Sequence, residues 1–195
     1  MQAWEGSSES AEATRRIGEA LGRLARGGDV VALSGPLGAG KTTLVQGVAR
    51  GLGLGAAAVV SPTFLYVREV KGGRLALYHV DAYRLVGRAG PGEAAGFLEE
   101  LGLSHYLRSG GLTVIEWPEP ILDALPADHL RISLDWVEDD PSGERRQVRV
   151  EAWGERHEAL AARLAAELGW RPARAGAGGG QAGGRGDQAG ERDGL

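Results

Sequence analysis

The chain contains no cysteine and no asparagine, one methionine, and only two lysines, Lys41 and Lys71, the rest of its 22 Lys and Arg being arginine. Without cysteine there is neither a disulfide framework nor a thiolate metal site. The scarcity of thermolabile residues fits a thermophile, and a GC-rich genome would give the same bias toward Ala, Gly and Arg. No apolar run is long enough to cross a bilayer and no secretory leader pattern opens the chain, so a soluble, cytoplasmic protein without a membrane partner is expected. A net charge of −4 argues against a nucleic-acid footprint. At 195 residues, one domain with a real core is expected.

What the chain does have is the stretch Gly35-Pro36-Leu37-Gly38-Ala39-Gly40-Lys41-Thr42-Thr43. It fits G-x-x-x-x-G-K-[ST], follows the apolar run Val30-Val31-Ala32-Leu33, and leads into a helical pattern at Leu44, Val45 and Val48. Strand, glycine loop and helix in that order form the context in which the motif binds phosphates. Gly35, Gly38 and Gly40 allow a backbone path whose N–H groups point inward at the phosphates. Lys41 stands where a compact ammonium bridges β- and γ-phosphate oxygens, and the Thr42 hydroxyl stands where Mg²⁺ is held. With no asparagine the N-K-x-D route to guanine is closed, so ATP is the expected nucleotide.

Periodicity predicts a helix over 10–26 stopped by Gly27-Gly28, a core strand over 30–33, and the loop helix to about Leu52. A short strand over 56–60 ends at Ser61-Pro62. The runs 64–70 and 75–80 flank Lys71-Gly72-Gly73-Arg74 as a hairpin. A helix over 93–107 breaks near Gly102; strands at 112–115, 130–137 and 147–153 and a helix over 155–168 complete the pattern. From Arg171 onward Gly, Ala and scattered charges show no apolar periodicity. The expected organisation is an ATPase domain over 1–170 and a disordered tail over 171–195. Parallel strands linked by helices predict an α/β, P-loop NTPase-like three-layer fold with a mixed, mainly parallel sheet and an antiparallel hairpin. Its ligand belongs beyond the C-terminal strand ends.

Two acids end strands where Mg²⁺ needs a carboxylate: Asp81, after Leu75–Val80, and Glu116, after Leu112–Ile115. Glu116 has the cleaner apolar run for a central strand; either acid alone is equally consistent with a strand cap or an arginine pair. Ser61-Pro62-Thr63-Phe64 matches a switch segment in position, although by composition it reads first as a turn. Trp117 fits either the core or the nucleotide's surroundings, and His79 either a structural or a catalytic role.

Together the loop GPLGAGKTT, the segment SPTF, the block YHVDAYRL and the block VIEWPE resemble the bacterial TsaE family, in order and spacing over about Ser10 to Leu168. H-x-D-x-Y-R followed by I-E-W is far more specific than the loop alone. The resemblance implies an ATPase of tRNA N6-threonylcarbamoyladenosine biosynthesis. Such a protein works with TsaD and TsaB, reaches tRNA indirectly through that assembly, and hydrolyses ATP to permit repeated turnover. Carried across by motif, the phosphate cradle is Gly38, Ala39, Gly40, Lys41, Thr42 and Thr43, with Mg²⁺ on Thr42 and Glu116. Asp81 aids hydrolysis, Thr63 is the switch threonine, Trp117 lies near the nucleotide, and Thr14 in T-x-x-x-G reaches the adenine side. Leu65 and the pair Glu69-Val70 depart from the family's usual residues on the hairpin. A small-molecule kinase and a nucleotide-dependent adaptor are the alternatives, the first disfavoured because no arginine-rich lid is evident.

Overall fold

The structure is a computed structural model that describes residues 1–55, 59, 67–88, 93–100 and 102–173. The expected strand over 56–60 (apart from Val59), the segment containing Thr63, and residues 174 onward of the tail expected over 171–195 lie outside the described residues; Arg171 and Pro172, placed in that tail by the sequence, instead form a short strand by pairing with Glu5 and Trp4.

The elements run β1 (Gln2–Ser8), α1 (Ala11–Leu24), β2 (Val30–Ser34), α2 (Lys41–Gly51), β3 (Val67–Val70), β4 (Leu77–Asp81), α3 (Ala94–Glu100), α4 (Leu103–Arg108), β5 (Leu112–Glu116), β6 (His129–Trp136), β7 (Arg146–Trp153), α5 (Glu155–Leu168) and β8 (Arg171–Pro172). Short 3-10 turns at Tyr83–Leu85 and Glu119–Ala124 follow β4 and β5. The strands form one mixed sheet in the order β3-β4-β5-β2-β6-β7-β1-β8. Its centre, β4-β5-β2-β6, is parallel, and its flanks are antiparallel, including the expected β3–β4 hairpin.

β2 and β5 are buried at every position, which is why both read as unbroken apolar runs. Val31 and Leu33 of β2 face a core shared with α1, α2 and α5, while Val30 and Ala32 face a second core under α3, α4 and the 3-10 turns. Those two cores make the three layers. Each fully buried leucine, such as Leu21, Leu33 and Leu44, contributes roughly 1.5–3 kcal/mol of burial.

α1 starts where Ser10, in extended conformation, accepts a hydrogen bond from the Ala13 N–H at 3.1 Å. It ends at Leu24, before the expected glycine stop. The last carbonyls are capped by a side chain: Arg74, from the hairpin, donates to Gly22, Arg23 and Ala25 oxygens at 2.5, 3.0 and 2.5 Å. Gly27-Gly28 is therefore a turn after the helix rather than its cap.

α1 and α2 touch backbone to backbone. A Cβ on Gly18 would lie 2.0 Å from the Leu44 oxygen, and one on Gly47 2.0 Å from the Arg15 oxygen. This close approach brings the first turn of α1 against the start of α2, where the glycine loop ends.

Candidate functional site

The site lies at the C-terminal ends of the parallel strands, where α/β sheets hold ligands. The loop between β2 and α2 bends through positive φ at Gly35, Gly38 and Gly40. Gly40, at φ 105°, precedes α2 without any side-chain cap, so the first N–H groups of that helix remain available to an anion. Gly35 also passes so close to β6 that a Cβ would lie 2.2 Å from the Leu134 oxygen.

Lys41 opens α2 and is only 4% exposed. Its ammonium donates to the Gly35 and Pro36 oxygens at 2.7 and 2.9 Å and lies 3.6 Å from the centre of the Trp117 ring. Burial pulls its pKa below the usual lysine value, while Glu116, Glu119 and Asp81 act in the opposite direction. The cation is thus held on the loop's own carbonyls, at the mouth of the phosphate cradle.

The next residue, Thr42, donates its hydroxyl to the Glu116 carboxylate, with 2.9 and 3.0 Å to its two oxygens. Register explains why Glu116 and not Asp81 makes this contact. β5 is the direct neighbour of β2, pairing Leu33 with Glu116, and β4 lies one strand further out, pairing Asp81 with Glu116. Asp81 instead accepts the Tyr83 N–H at 2.9 Å, closing the 3-10 turn.

His79 lies behind Glu116. Its ring is fully buried, its Nε2 is 2.7 Å from Glu116 Oε1, and its Nδ1 has no hydrogen-bond partner. The tautomer protonated on Nε2 donates to the carboxylate and leaves only a bare lone pair buried at Nδ1. The structure therefore gives His79 a definite task, orienting Glu116, where the sequence left structural and catalytic roles open.

Thr42 and Glu116 supply hard oxygen donors, too few to cage a metal alone. Among the described residues no group of three or more His, Asp or Glu is arranged to hold one. That donor set suits Mg²⁺, which keeps several waters and takes its other ligands from phosphates. Trp117 has φ 57°, the one positive value on a non-glycine residue among those described, and its ring also packs on Tyr83 at 5.0 Å between centroids. This strained backbone is what turns the indole from the end of β5 toward Lys41.

On the other side of the loop, Thr14 is buried with its methyl 3.6 Å from where a Gly40 Cβ would be. Its hydroxyl is engaged with Ser8 Oγ at 2.7 Å and the Ser10 oxygen at 3.2 Å. Thr14, Gly38, Ala39, Gly40 and Thr43 line one cavity of about 170 Å³. Two larger clefts, about 690 Å³ beside Trp170 and about 510 Å³ around Arg156, contain none of these residues, so size does not locate this site. Thr63 lies outside the described residues; the other residues expected from the sequence are gathered around the loop. Arg146 was missed: it lines the same cavity, donates from Nε to the Ala39 oxygen at 3.1 Å, and lies 3.3 Å over the Trp136 ring. No local pattern marks it, because it arrives from β7, more than a hundred residues after the loop.

A central parallel sheet with this loop, threonine and strand-end acid at its C-terminal edge defines a P-loop NTPase-like three-layer protein. Residues 8–148 match the family of the threonylcarbamoyl adenosine biosynthesis protein TsaE. The chain belongs to that family. It is 37% identical over 153 residues to the Bacillus subtilis tRNA threonylcarbamoyladenosine biosynthesis protein TsaE, covering 78% of this chain and 88% of the relative. Its identity to the Streptomyces coelicolor protein of the same name is 44% over 144 residues, covering 73% and 92%. The crystal structure of Bacillus subtilis YdiB superposes with a TM-score of 0.68 at 31% identity, covering 86% of this chain and 97% of that one.

Proposed function

We propose that this chain binds and hydrolyses Mg·ATP as a subunit of the cytoplasmic machinery that makes tRNA N6-threonylcarbamoyladenosine. It would act with TsaD and TsaB homologues and allow them to turn over repeatedly. The observation that carries the reading is the Thr42–Glu116 pair beside an uncapped helix start and a buried lysine. Membership of the TsaE family supplies the pathway.

Gly38, Ala39 and Gly40, with the first turn of α2, offer N–H donors to the phosphates. Lys41 moves its ammonium from the loop carbonyls to the β- and γ-phosphate oxygens. Thr42 and Glu116 hold Mg²⁺, and His79 fixes the angle of the carboxylate. Mg²⁺ held by Thr42 and Glu116 would supply positive charge against the negative charge that develops on the terminal phosphoryl group. Asp81, one strand further out, orients water or the metal's water shell. Trp117 covers Lys41, and Thr63 senses the γ-phosphate. None of these groups is a strong base free to activate water, so slow hydrolysis is expected from the chain alone.

The test is reconstitution with TsaD and TsaB homologues, tRNA and the threonylcarbamoyl donor, counting modifications per TsaD. Wild type should support many rounds, and Lys41→Ala or Glu116→Ala no more than about one. Wild-type turnover by both variants would overturn the proposal. Labelled phosphate appearing on a metabolite would point to a kinase. Many rounds supported by a variant that binds but does not hydrolyse ATP would point to an adaptor.

A further inference from the structure

Trp117 holds its positive φ of 57° directly before Pro118. The residue before a proline is pushed toward extended backbone, so this conformation persists only where its surroundings fix it. The Trp117 N–H donates to the Leu33 oxygen at 3.2 Å, which ties the backbone to β2 and leaves the direction of the indole undetermined. The ring itself meets the Lys41 ammonium, 3.6 Å from its centre, and the Tyr83 ring, 5.0 Å away at 56°. The first is the group the indole serves. The second is the group that can hold it there.

Tyr83 is brought to that place by its backbone. It opens the 3-10 turn Tyr83–Leu85 at the end of β4. Asp81 accepts its N–H at 2.9 Å, and the preceding Ala82 N–H donates to the Glu116 oxygen at 3.0 Å. Ala82 and Leu85 are buried in the second core, and the Leu85 N–H closes on the Ala82 oxygen at 2.9 Å. The turn is thus pinned on both sides of a side chain that is itself 45% exposed. A residue placed there for the core would not leave nearly half of its surface in water. Its ring packs instead on Trp117, at the separation and tilt that aromatic pairs prefer.

We propose that Tyr83 is a positioning residue for Lys41 and acts through Trp117. Its ring holds the indole in the strained orientation that keeps the indole face over the ammonium. This rests on the nucleotide-binding reading above and deepens it, because Lys41 is the group that meets the phosphates. A lysine side chain left to itself samples many rotamers. Between the Gly35 and Pro36 oxygens and the Trp117 face, the ammonium becomes a charge at a fixed place. The contact to Tyr83 is ring on ring, so phenylalanine can replace the tyrosine and a side chain without a ring cannot.

The scarcity of lysine gives a direct readout. Lys41 and Lys71 are the only lysines, and the Lys71 side chain is 71% exposed on the hairpin. Acetylation with a limiting amount of N-hydroxysuccinimide acetate, followed by peptide mass spectrometry, gives the labelling rate of Lys41 relative to Lys71 in the same molecule. Without nucleotide, Tyr83→Ala should raise that ratio about fivefold, the worth of one aromatic pair, and Tyr83→Phe should leave it within about twofold. Trp117→Ala should raise it at least as far, and adding Tyr83→Ala to Trp117→Ala should raise it no further. Tyr83→Leu, which keeps apolar bulk without a ring, repeats the test if alanine disturbs the turn. Mg·ATP affinity measured by calorimetry should fall about fivefold in Tyr83→Ala and recover in Tyr83→Phe. An unchanged labelling ratio in Tyr83→Ala and Tyr83→Leu would overturn the proposal, as would a Tyr83→Phe protein that behaves like Tyr83→Ala. Additive effects of Tyr83→Ala and Trp117→Ala would also overturn it, because they mark general loosening of the turn and not a hold on the indole. Wild-type Lys41 that labels equally fast with and without saturating Mg·ATP would instead overturn the nucleotide-binding reading, an outcome visible in wild type alone.

Discussion

Lys41 rests its ammonium 3.6 Å from the centre of the Trp117 ring, with protons donated to the Gly35 and Pro36 oxygens. The cation most suited to phosphate is therefore held by the loop's own carbonyls. Two carbonyls and a ring offset a desolvation that pulls its pKa down. Removing the charge also removes that desolvation, so Lys41→Ala should melt within a few degrees of wild type. Its affinity for ATP should fall about a hundredfold, the worth of two charge-assisted hydrogen bonds at about 1.5 kcal/mol each. Calorimetry alongside a melting curve separates the effects; unchanged affinity would mean the ammonium never leaves the loop.

Buried Glu116 accepts from half-buried Thr42 on one side and from fully buried His79 on the other. Glu116→Gln keeps the shape and removes the charge. ADP should still bind without Mg²⁺, and the gain in affinity on adding Mg²⁺ should disappear. His79→Ala leaves a hole and an unpaired carboxylate lone pair, costing about 2–4 kcal/mol of stability. His79→Gln can place an N–H near the Nε2 position and should restore most of the Mg²⁺ gain. If His79→Gln binds Mg·ADP no better than His79→Ala, orientation of Glu116 is not its role.

The glycine loop, β2, α2 and β5 are legible because each is written locally: a motif, an amphipathic stripe, an apolar run. Burial of β5 on both faces also marks Glu116 as the more central acid. Strand order makes the contact with Thr42, and order is a property of pairing between distant segments. β1 escapes notice for the same reason. Its seven residues include Glu5, Gly6, Ser7 and Ser8, and they become a strand by pairing with β7, from Gln2 with Ala152 to Ser8 with Arg146. Arg74 as a helix cap and Arg146 beside the glycine loop are long side chains reaching across the fold, with no spacing rule to announce them.

Gly18 is required by helix contact, not by a turn. A methyl there would lie 2.0 Å from the Leu44 oxygen and 2.9 Å from the Val48 nitrogen, and rigid backbone cannot yield cheaply. Gly18→Ala should destabilise by about 1–3 kcal/mol and weaken ADP binding, because α1 must shift and Thr14 moves with it. Gly96 in α3 is the control: nothing lies within 4 Å of its added Cβ, so Gly96→Ala should stabilise by about 0.4–1 kcal/mol. Denaturant titrations of both variants check the contrast. Equal stability changes would show that the α1–α2 contact is loose.

His157 on α5 is 2% exposed, accepts the Val30 N–H at 3.4 Å, and lies 3.6 Å from Asp29 Oδ1. Burial holds its pKa below the ordinary 6.5, with the Asp29 carboxylate opposing that shift in part. The unfolded chain therefore takes up this proton more readily than the folded one. Stability is complete above about pH 6.5 and declines as pH falls from there toward the lower folded value. His157→Gln should cost about 1 kcal/mol at pH 7.5 through the altered bond to Val30, yet decline less between pH 7.5 and pH 5 than wild type. Melting temperatures of both proteins across that range decide the matter. A variant that loses stability as steeply as wild type would assign the acid sensitivity to another group.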